Sequence, residues 1–251
     1  MAQLAQVPFA LKQDQASLRQ RLIQIGGVSA WAQLGWLVVV IIVGLTLGPW
    51  PETVEGYFSM YAETPLLGLL RDDVTSLVLI LLYIGLMPGI ALALWQENPL
   101  IILFTTLFTG IAVITSLATQ SSFALLHLAE RYELAATAAE QARLLAAGEA
   151  VLASNMWNST SGFFNGILLQ GSGVLLSYLM LRSKKFGTLT GAAGLIANGF
   201  DLLQHLLHLF APAAAGIIIT VAGPFYLLWY LLMGRDLLRH ARKMDQEPQH
   251  A

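Results

Sequence analysis

Long stretches without a charged side chain constrain this sequence more than any other feature. No Asp, Glu, Lys or Arg occurs in four stretches, at residues 22–51, 74–96, 98–129 and 150–181. A fifth stretch, at residues 186–234, contains one charge, Asp201. A transmembrane helix needs about 20 predominantly apolar residues. Each stretch is therefore long enough to supply at least one helix that crosses a bilayer.

The composition agrees with lipid as the surrounding medium. Charged residues make up 11% of the chain, whereas a soluble domain has about 25%. Apolar runs such as residues 37–43 lack the alternation of polar and apolar residues that is typical of a membrane barrel. Helices satisfy all of their own backbone hydrogen bonds in lipid. The sequence therefore predicts an all-α, polytopic membrane helix bundle.

The charge gaps also predict the number of membrane spans. Pro212 divides the last apolar stretch into two. We predict one domain of six transmembrane helices over residues 28–235, with spans near residues 28–48, 74–95, 99–121, 158–181, 187–210 and 213–235.

Lysine and arginine predict the orientation, because cytoplasmic loops carry an excess of them. Three arginines fall on the predicted outer side: Arg71, Arg131 and Arg143. Ten basic residues fall on the other side: Lys12, Arg19, Arg21, Arg182, Lys184, Lys185, Arg235, Arg239, Arg242 and Lys243. We predict that both ends of the chain are cytoplasmic, in a multi-pass protein of the plasma membrane that contacts membrane lipids.

Segments outside the spans have their own patterns. Residues 1–27 predict a cytoplasmic interfacial helix, because leucines and basic residues alternate there at helical spacing. Residues 122–157 predict an outer cap containing an amphipathic helix. Residues 236–251 are expected to form a cytoplasmic tail.

Polar residues inside the spans are the candidates for function, because a carboxylate at bilayer depth costs about 2.5 kcal/mol or more. Asp201 lies ten residues before Ala211, so about 15 Å from that end of its helix. Asn198, Asp201, His205 and His208 fall within an arc of about 80° on one helical face.

Further polar residues are predicted in the same outer half of the bundle. Together they predict a pocket lined by Asp73, Gln120, Asn158, Asn165, Asn198, Asp201, His205 and Tyr226. One interpretation is a site for a small ligand, a lipid or a partner. The alternative is a structural membrane subunit without a ligand, because polar side chains also join membrane helices through hydrogen bonds.

A metal site is a further hypothesis. Asp201, His205 and His208 share one face, and His127 or Asp73 could complete a zinc shell of nitrogen and oxygen ligands. With a water in the open position, such a site would make a zinc-dependent intramembrane hydrolase. The chain has no cysteine, which excludes disulfides and thiolate ligands.

Two observations concern partners. The net charge of −2 gives no basic field that would attract nucleic acid. Gly187 and Gly191 have the spacing of a close helix contact, either within the bundle or in a homo-oligomer.

The second half of the chain has a pattern of known type. It consists of Tyr178–Gly187 with its basic loop, Gly191–Ile196, and a last helix from Pro224 that ends with Trp229, Gly234 and Arg235. This pattern resembles the bacterial domain-of-unknown-function 4386 family. The resemblance implies six helices and a prokaryotic plasma membrane. It implies no activity and no catalytic residues, and His205 and His208 are not part of the family pattern.

Overall fold

Ten α-helices form the regular structure of the part of the chain that is described. The computed structural model describes residues 9–48, 50–71, 73–155 and 159–246, and only the backbone of residues 9–13, 73 and 212. The helices in these ranges are α1 (Phe9–Leu47), α2 (Val54–Glu63), α3 (Pro65–Arg71), α4 (Asp73–Leu94), α5 (Pro99–Ala118), α6 (Ser122–Glu133), α7 (Ala138–Ala153), α8 (Thr160–Arg182), α9 (Thr188–His208) and α10 (Pro212–Gln246).

Five helical segments are long and apolar enough to cross a bilayer. They are Asp14–Leu47, Val74–Leu94, Pro99–Glu133, Thr160–Arg182 and Ala213–Gln246. Large apolar side chains on them are exposed, which suits a protein that contacts lipid. The helix α9 is not one of the five, because its polar residues lower its hydropathy. The expected all-α fold is confirmed for the described residues, with five candidate spans.

The six long helices pack in a ring. The helix α1 contacts α4 and α10, and the order continues from α4 to α5, α8, α9 and back to α10. The main apolar core lies between α1, α4, α8 and α10, and includes Ile23, Ile90, Met180 and Trp229. The polar helix α9 lies between α8 and α10. The helices α8 and α10 cover the polar face of α9, so the polar side chains on that face are buried.

Glycines bring α1 close to its two neighbours. A Cβ atom on Gly26 would lie 2.8 Å from the Cα of Gly89 in α4. A Cβ atom on Gly27 would lie 3.2 Å from the carbonyl oxygen of Gly234 in α10. Only residues without a side chain allow this approach of backbones, as is common between membrane helices.

Short helices cover one end of the ring. The helices α2, α6 and α7 contact one another around a second apolar core of Val54, Phe58, Tyr61, Leu125 and Ala129. We call this end the cap end. The opposite end, which has the α4–α5 and α8–α9 connections, is called the turn end.

Three boundaries differ from those that we expected. The helix α1 is continuous from Phe9, so the segment that was expected to be a separate interfacial helix is the first part of the first long helix. Its Arg19 donates a hydrogen bond to the carbonyl of Leu92 at 3.1 Å, and Ile23 is buried, which anchors this part against the bundle. The helix α10 reaches Gln246, within the expected tail. The described part of residues 122–157 contains two helices, because Thr137 caps a new helix start.

Candidate functional site

The helix α9 has an inverted amphipathic pattern. Polar side chains are buried on one face, among them Thr190, Asn198 and Asp201. Apolar side chains such as Leu189 and Leu203 are exposed on the other face. A helix in water would have its polar face outside. The reversal places the polar face of α9 inside the bundle, between α8 and α10.

Asp201 is the centre of the buried polar residues. The residue is buried, with 7% of its surface exposed. The hydroxyl of Tyr226 in α10 donates a hydrogen bond to its Oδ2 at 2.8 Å. The Nδ1 of His205 lies 3.2 Å from its Oδ1 and 3.0 Å from its backbone oxygen. Among the described residues, His205 is the only basic side chain that contacts the Asp201 carboxylate.

Several oxygen atoms converge on the Tyr226 hydroxyl. Besides Asp201, Oε1 of Gln170 lies 2.8 Å away and Oδ1 of Asn198 lies 3.4 Å away. The Nδ2 of Asn198 donates to the carbonyl of Gly194 at 2.8 Å, so its oxygen is the atom that faces Tyr226. A tyrosine hydroxyl has one proton to donate. Turning the Gln170 amide to present its nitrogen would still leave two acceptors for that proton.

Glycines of α8 make room for this cluster. A Cβ atom on Gly166 would overlap the ring of His205, and one on Gly173 would overlap the amide of Asn198. The contact between α8 and α9 therefore places polar side chains of one helix directly against the backbone of the other. Such packing restricts the side chains to one position.

Other polar atoms of the bundle are buried without a hydrogen-bond partner among the described residues. The Nδ2 of Asn165 donates to Oγ of Ser116 in α5 at 2.8 Å. Its Oδ1, the hydroxyl of Ser172 and both amide atoms of Gln120 are buried with no hydrogen-bond partner among the described residues. Most buried polar atoms in proteins have partners. These acceptors and donors therefore remain available to a further group.

A tyrosine pair extends the cluster towards α4. The hydroxyls of Tyr83 and Tyr230 are 2.9 Å apart. The rings of Tyr226 and Tyr230 are stacked with centroids 6.0 Å apart. A hydrogen bond, one pair of stacked rings and a hydroxyl contact thus connect Asp201 through α10 to Tyr83 of α4. We name Asp201, Tyr226, Gln170, Asn198 and His205 the Asp201 cluster.

The structure brings together half of the residues predicted to line the pocket. Asn198, Asp201, His205 and Tyr226 contact one another as described above. Asn165 bonds to Ser116, and Gln120 has no bond to the cluster among the described residues.

The other two predicted pocket residues are not described at side-chain level. Asp73 begins α4, with only its backbone described. Asn158 lies outside the described residues.

Three members of the site were missing from the predicted pocket. Gln170 lies five residues beyond Asn165 on α8 and was not among the residues expected to line the pocket. Ser116 and Tyr83 had no signal that distinguished them from other polar residues in apolar helices. A buried polar residue can be found in a sequence, but its partner on another helix cannot.

The structure assembles only part of the predicted zinc set. Asp201 and His205 are adjacent, whereas His208 and His127 are exposed. No group of three His, Asp or Glu side chains in the described residues is placed to hold a metal ion. The zinc hypothesis therefore has two neighbouring ligands without a third.

Comparison with known proteins gave no relative for this chain. No protein-family model matches it. No match was found among curated proteins or among solved structures. The chemistry and geometry of its own residues are therefore the basis for a functional assignment.

Proposed function

We propose that the chain is a membrane protein of six spans that binds a small ligand at the Asp201 cluster. The ligand would have a cationic or hydrogen-bond-donating group. The helix α9 would be the sixth span: its 21 residues give a length of about 31 Å, close to the thickness of a hydrocarbon core. Its neighbours α8 and α10 shield its polar face from lipid.

The distribution of basic residues supports an orientation with both chain ends in the cytoplasm. Nine lysines and arginines lie towards the turn end: Arg19, Arg21, Arg182, Lys184, Lys185, Arg235, Arg239, Arg242 and Lys243. The cap end has Arg71, Arg131 and Arg143. The positive-inside rule then places the turn end in the cytoplasm and the Asp201 cluster in the outer half of the membrane.

We also propose membership of the domain-of-unknown-function 4386 family. The support is the basic loop of Tyr178–Gly187 and the Trp229–Gly234 pattern near the end of the last span. This membership would imply a prokaryotic plasma membrane.

The excess of acceptors around one hydroxyl is the observation that favours a ligand. Asp201, Gln170 and Asn198 place three oxygen atoms around Tyr226, which has one proton. His205 contacts the other carboxylate oxygen of Asp201, so the single hydroxyl proton serves all three acceptors, and an acceptor left unsatisfied is costly at this burial. A cation or an N–H group would supply what the protein does not. Carboxylate, amide and hydroxyl oxygens are also ligands that small hard cations prefer.

A structural role without a ligand is the competing proposal. The fit of His205 against Gly166 favours it, because the cluster then holds α8 and α9 together. Hydrogen bonds between membrane helices contribute about 0.6 kcal/mol each on average. Under this proposal the protein would bind no small molecule at Asp201, and the cluster would serve stability alone.

Ligand-dependent thermal stability separates the two proposals. The purified protein would be heated with sodium, potassium, ammonium or small primary amines, and its unfolding midpoint recorded. We expect at least one probe to raise the midpoint of the native protein, and Asp201→Asn to abolish the rise.

Gln204→Leu is the matched control. Gln204 lies on the same helix, is also 7% exposed, and has no bond to the cluster among the described residues. It should keep the response to the probe. A midpoint that no probe raises, or a rise that persists in Asp201→Asn, would favour the structural role.

A further inference from the structure

A cleft at the turn end concentrates positive charge. It has a volume of about 730 Å³ and lies between the α8–α9 connection and the last turns of α10. Six basic side chains line it: Lys184, Lys185, Arg235, Arg239, Arg242 and Lys243. We call this the basic cleft. It lies at the opposite end of α9 from the Asp201 cluster.

A buried carboxylate fixes the wall of the basic cleft. The Oδ2 of Asp236 accepts hydrogen bonds from the backbone N–H of Gly187 at 2.9 Å and from Thr190 Oγ1 at 2.6 Å. Its Oδ1 accepts from Nε and an Nη atom of Arg235 at 3.0 and 2.8 Å. Both oxygens are thus occupied, and Arg235 neutralises the charge. The start of α9 is thereby tied to α10, which holds the two walls together.

Four of the six cations have no anionic partner in the described part of the chain. Lys185 donates to the carbonyl of Ala93 at 2.7 Å and lies 3.9 Å from Glu97. The remaining four form no ion pair with any described residue: Lys184, Arg239, Arg242 and Lys243. Like charges repel at the spacing of these residues on α10. A doubly or singly charged anion in the cleft would relieve that repulsion.

The position of the cleft selects a lipid as the source of the anion. The helix α8 ends at Arg182 and α9 begins at Thr188, so their connection marks the end of two long helices. In the six-span arrangement proposed above, on which this step rests, that end lies at headgroup level. Leu189, two residues beyond Gly187 of the cleft lining, is 58% exposed. It offers apolar surface to an acyl chain beside the cleft. A soluble phosphate ion would make no use of this surface.

We propose that the basic cleft binds the phosphate headgroup of an anionic phospholipid. Arginine matches phosphate oxygens with paired N–H groups, and basic pockets between membrane helices bind such headgroups. Arg239, Arg242, Lys243 and Lys184 would hold the phosphate. The site goes beyond the proposed ligand site and does not depend on Asp201, so either can fail without the other.

Thermal stability with defined lipids tests this site. The purified protein would receive phosphatidylglycerol, phosphatidylcholine or millimolar inorganic phosphate in detergent. We expect phosphatidylglycerol to raise the unfolding midpoint by about 3 °C or more, and phosphatidylcholine and inorganic phosphate to have no such effect. Native mass spectrometry should show one phosphatidylglycerol retained per chain.

Charge-matched variants locate the effect. The pair Arg239→Gln and Lys243→Gln should lose at least two thirds of the rise and the retained lipid. The pair Arg131→Gln and Arg143→Gln removes the same charge at the cap end and should keep both. Lys184→Gln, in the exposed connection between α8 and α9, should also weaken lipid binding. This variant keeps the test usable if the α10 pair does not fold.

Three results would overturn the proposal. An equal loss of the midpoint rise and of the retained lipid in the cap-end pair would mean that lipid binding depends only on the net charge of the protein. An equal rise with inorganic phosphate would exclude the lipid as the specific ligand. Unchanged lipid retention in Lys184→Gln and in the α10 pair would place the lipid elsewhere.

Discussion

Two interfaces of the ring use polar residues in opposite ways. Between α1 and α4, polar side chains bond to backbone carbonyls: Gln33 donates to Leu79 at 2.7 Å, and Trp36 to Thr75 at 2.8 Å. Around α9, polar side chains meet one another at the Tyr226 hydroxyl. At the first interface these two donors each have a fixed backbone acceptor, whereas at the second three side-chain oxygen atoms share one hydroxyl proton.

The difference separates polar residues that join helices from those suited to binding. A donor that bonds to a backbone carbonyl has one fixed partner, although the Oε1 of Gln33 is buried with no hydrogen-bond partner among the described residues. In the Asp201 cluster the hydroxyl proton is shared among oxygen atoms that all face one point. Polar groups within reach of one another can also change partners. The count of donors against acceptors is therefore more informative than the presence of polar residues.

The largest expected effect is at the glycine contact between α1 and α4. In Gly89→Ala the new Cβ would lie 2.7 Å from the Cα of Gly26, where backbone cannot give way. We expect a loss of about 2–3 kcal/mol in the free energy of unfolding, measured by denaturation in mixed micelles. In the control Gly216→Ala the new Cβ has no neighbouring atom within 4 Å, so this variant should lose no stability. Equal stability of the two variants would contradict the close packing described for α1.

An intermediate effect is expected at Tyr226. Tyr226→Phe removes the one proton that the surrounding oxygens share and leaves Asp201 and Gln170 without that donor. Unsatisfied buried acceptors cost about 1–3 kcal/mol, so we expect a loss of stability in that range. Tyr83→Phe is the control, because its hydroxyl bonds only to that of Tyr230 among the described residues. If both variants lose the same free energy of unfolding, the convergence of oxygen atoms on the Tyr226 hydroxyl makes no special contribution to stability.

The smallest effect is expected at a single side-chain bond to backbone. Trp36→Phe removes the donor to the Thr75 carbonyl and keeps most of the aromatic ring. The loss should be about 0.6 kcal/mol, the average for a hydrogen bond between membrane helices. Refolding and unfolding curves of the two proteins would give the difference. A loss larger than that of Tyr226→Phe would reverse the proposed contrast between the two interfaces.

The sequence predicted the parts of this molecule that depend on one helix. Charge-free stretches are sufficient to locate apolar helices, and the spacing of Asn198, Asp201 and His205 is sufficient to place them on one face. Tyr226 was also expected at the site. These are properties of helical periodicity, which is the same in any bundle.

Contacts between helices could not be predicted in the same way. The bond from Asn165 to Ser116 depends on the rotation and register of α8 against α5, which apolar surfaces in lipid do not determine. The same limit explains His208: it shares the polar face, but it lies in the last turn of α9, where its side chain is exposed. The continuity of α1 was missed because basic residues near its start resembled those of a surface helix.

The length of α10 has a mechanical consequence. Tyr226 and Arg239 belong to one helix and are separated by 13 residues, or about 20 Å. Pro224 lies before Tyr226, so no proline interrupts the backbone ladder between the two residues. An uninterrupted helix of this kind transmits rotation about its axis along its length. Any turn of α10 about its axis at the level of Tyr226 must also reorient the arginines at its far end.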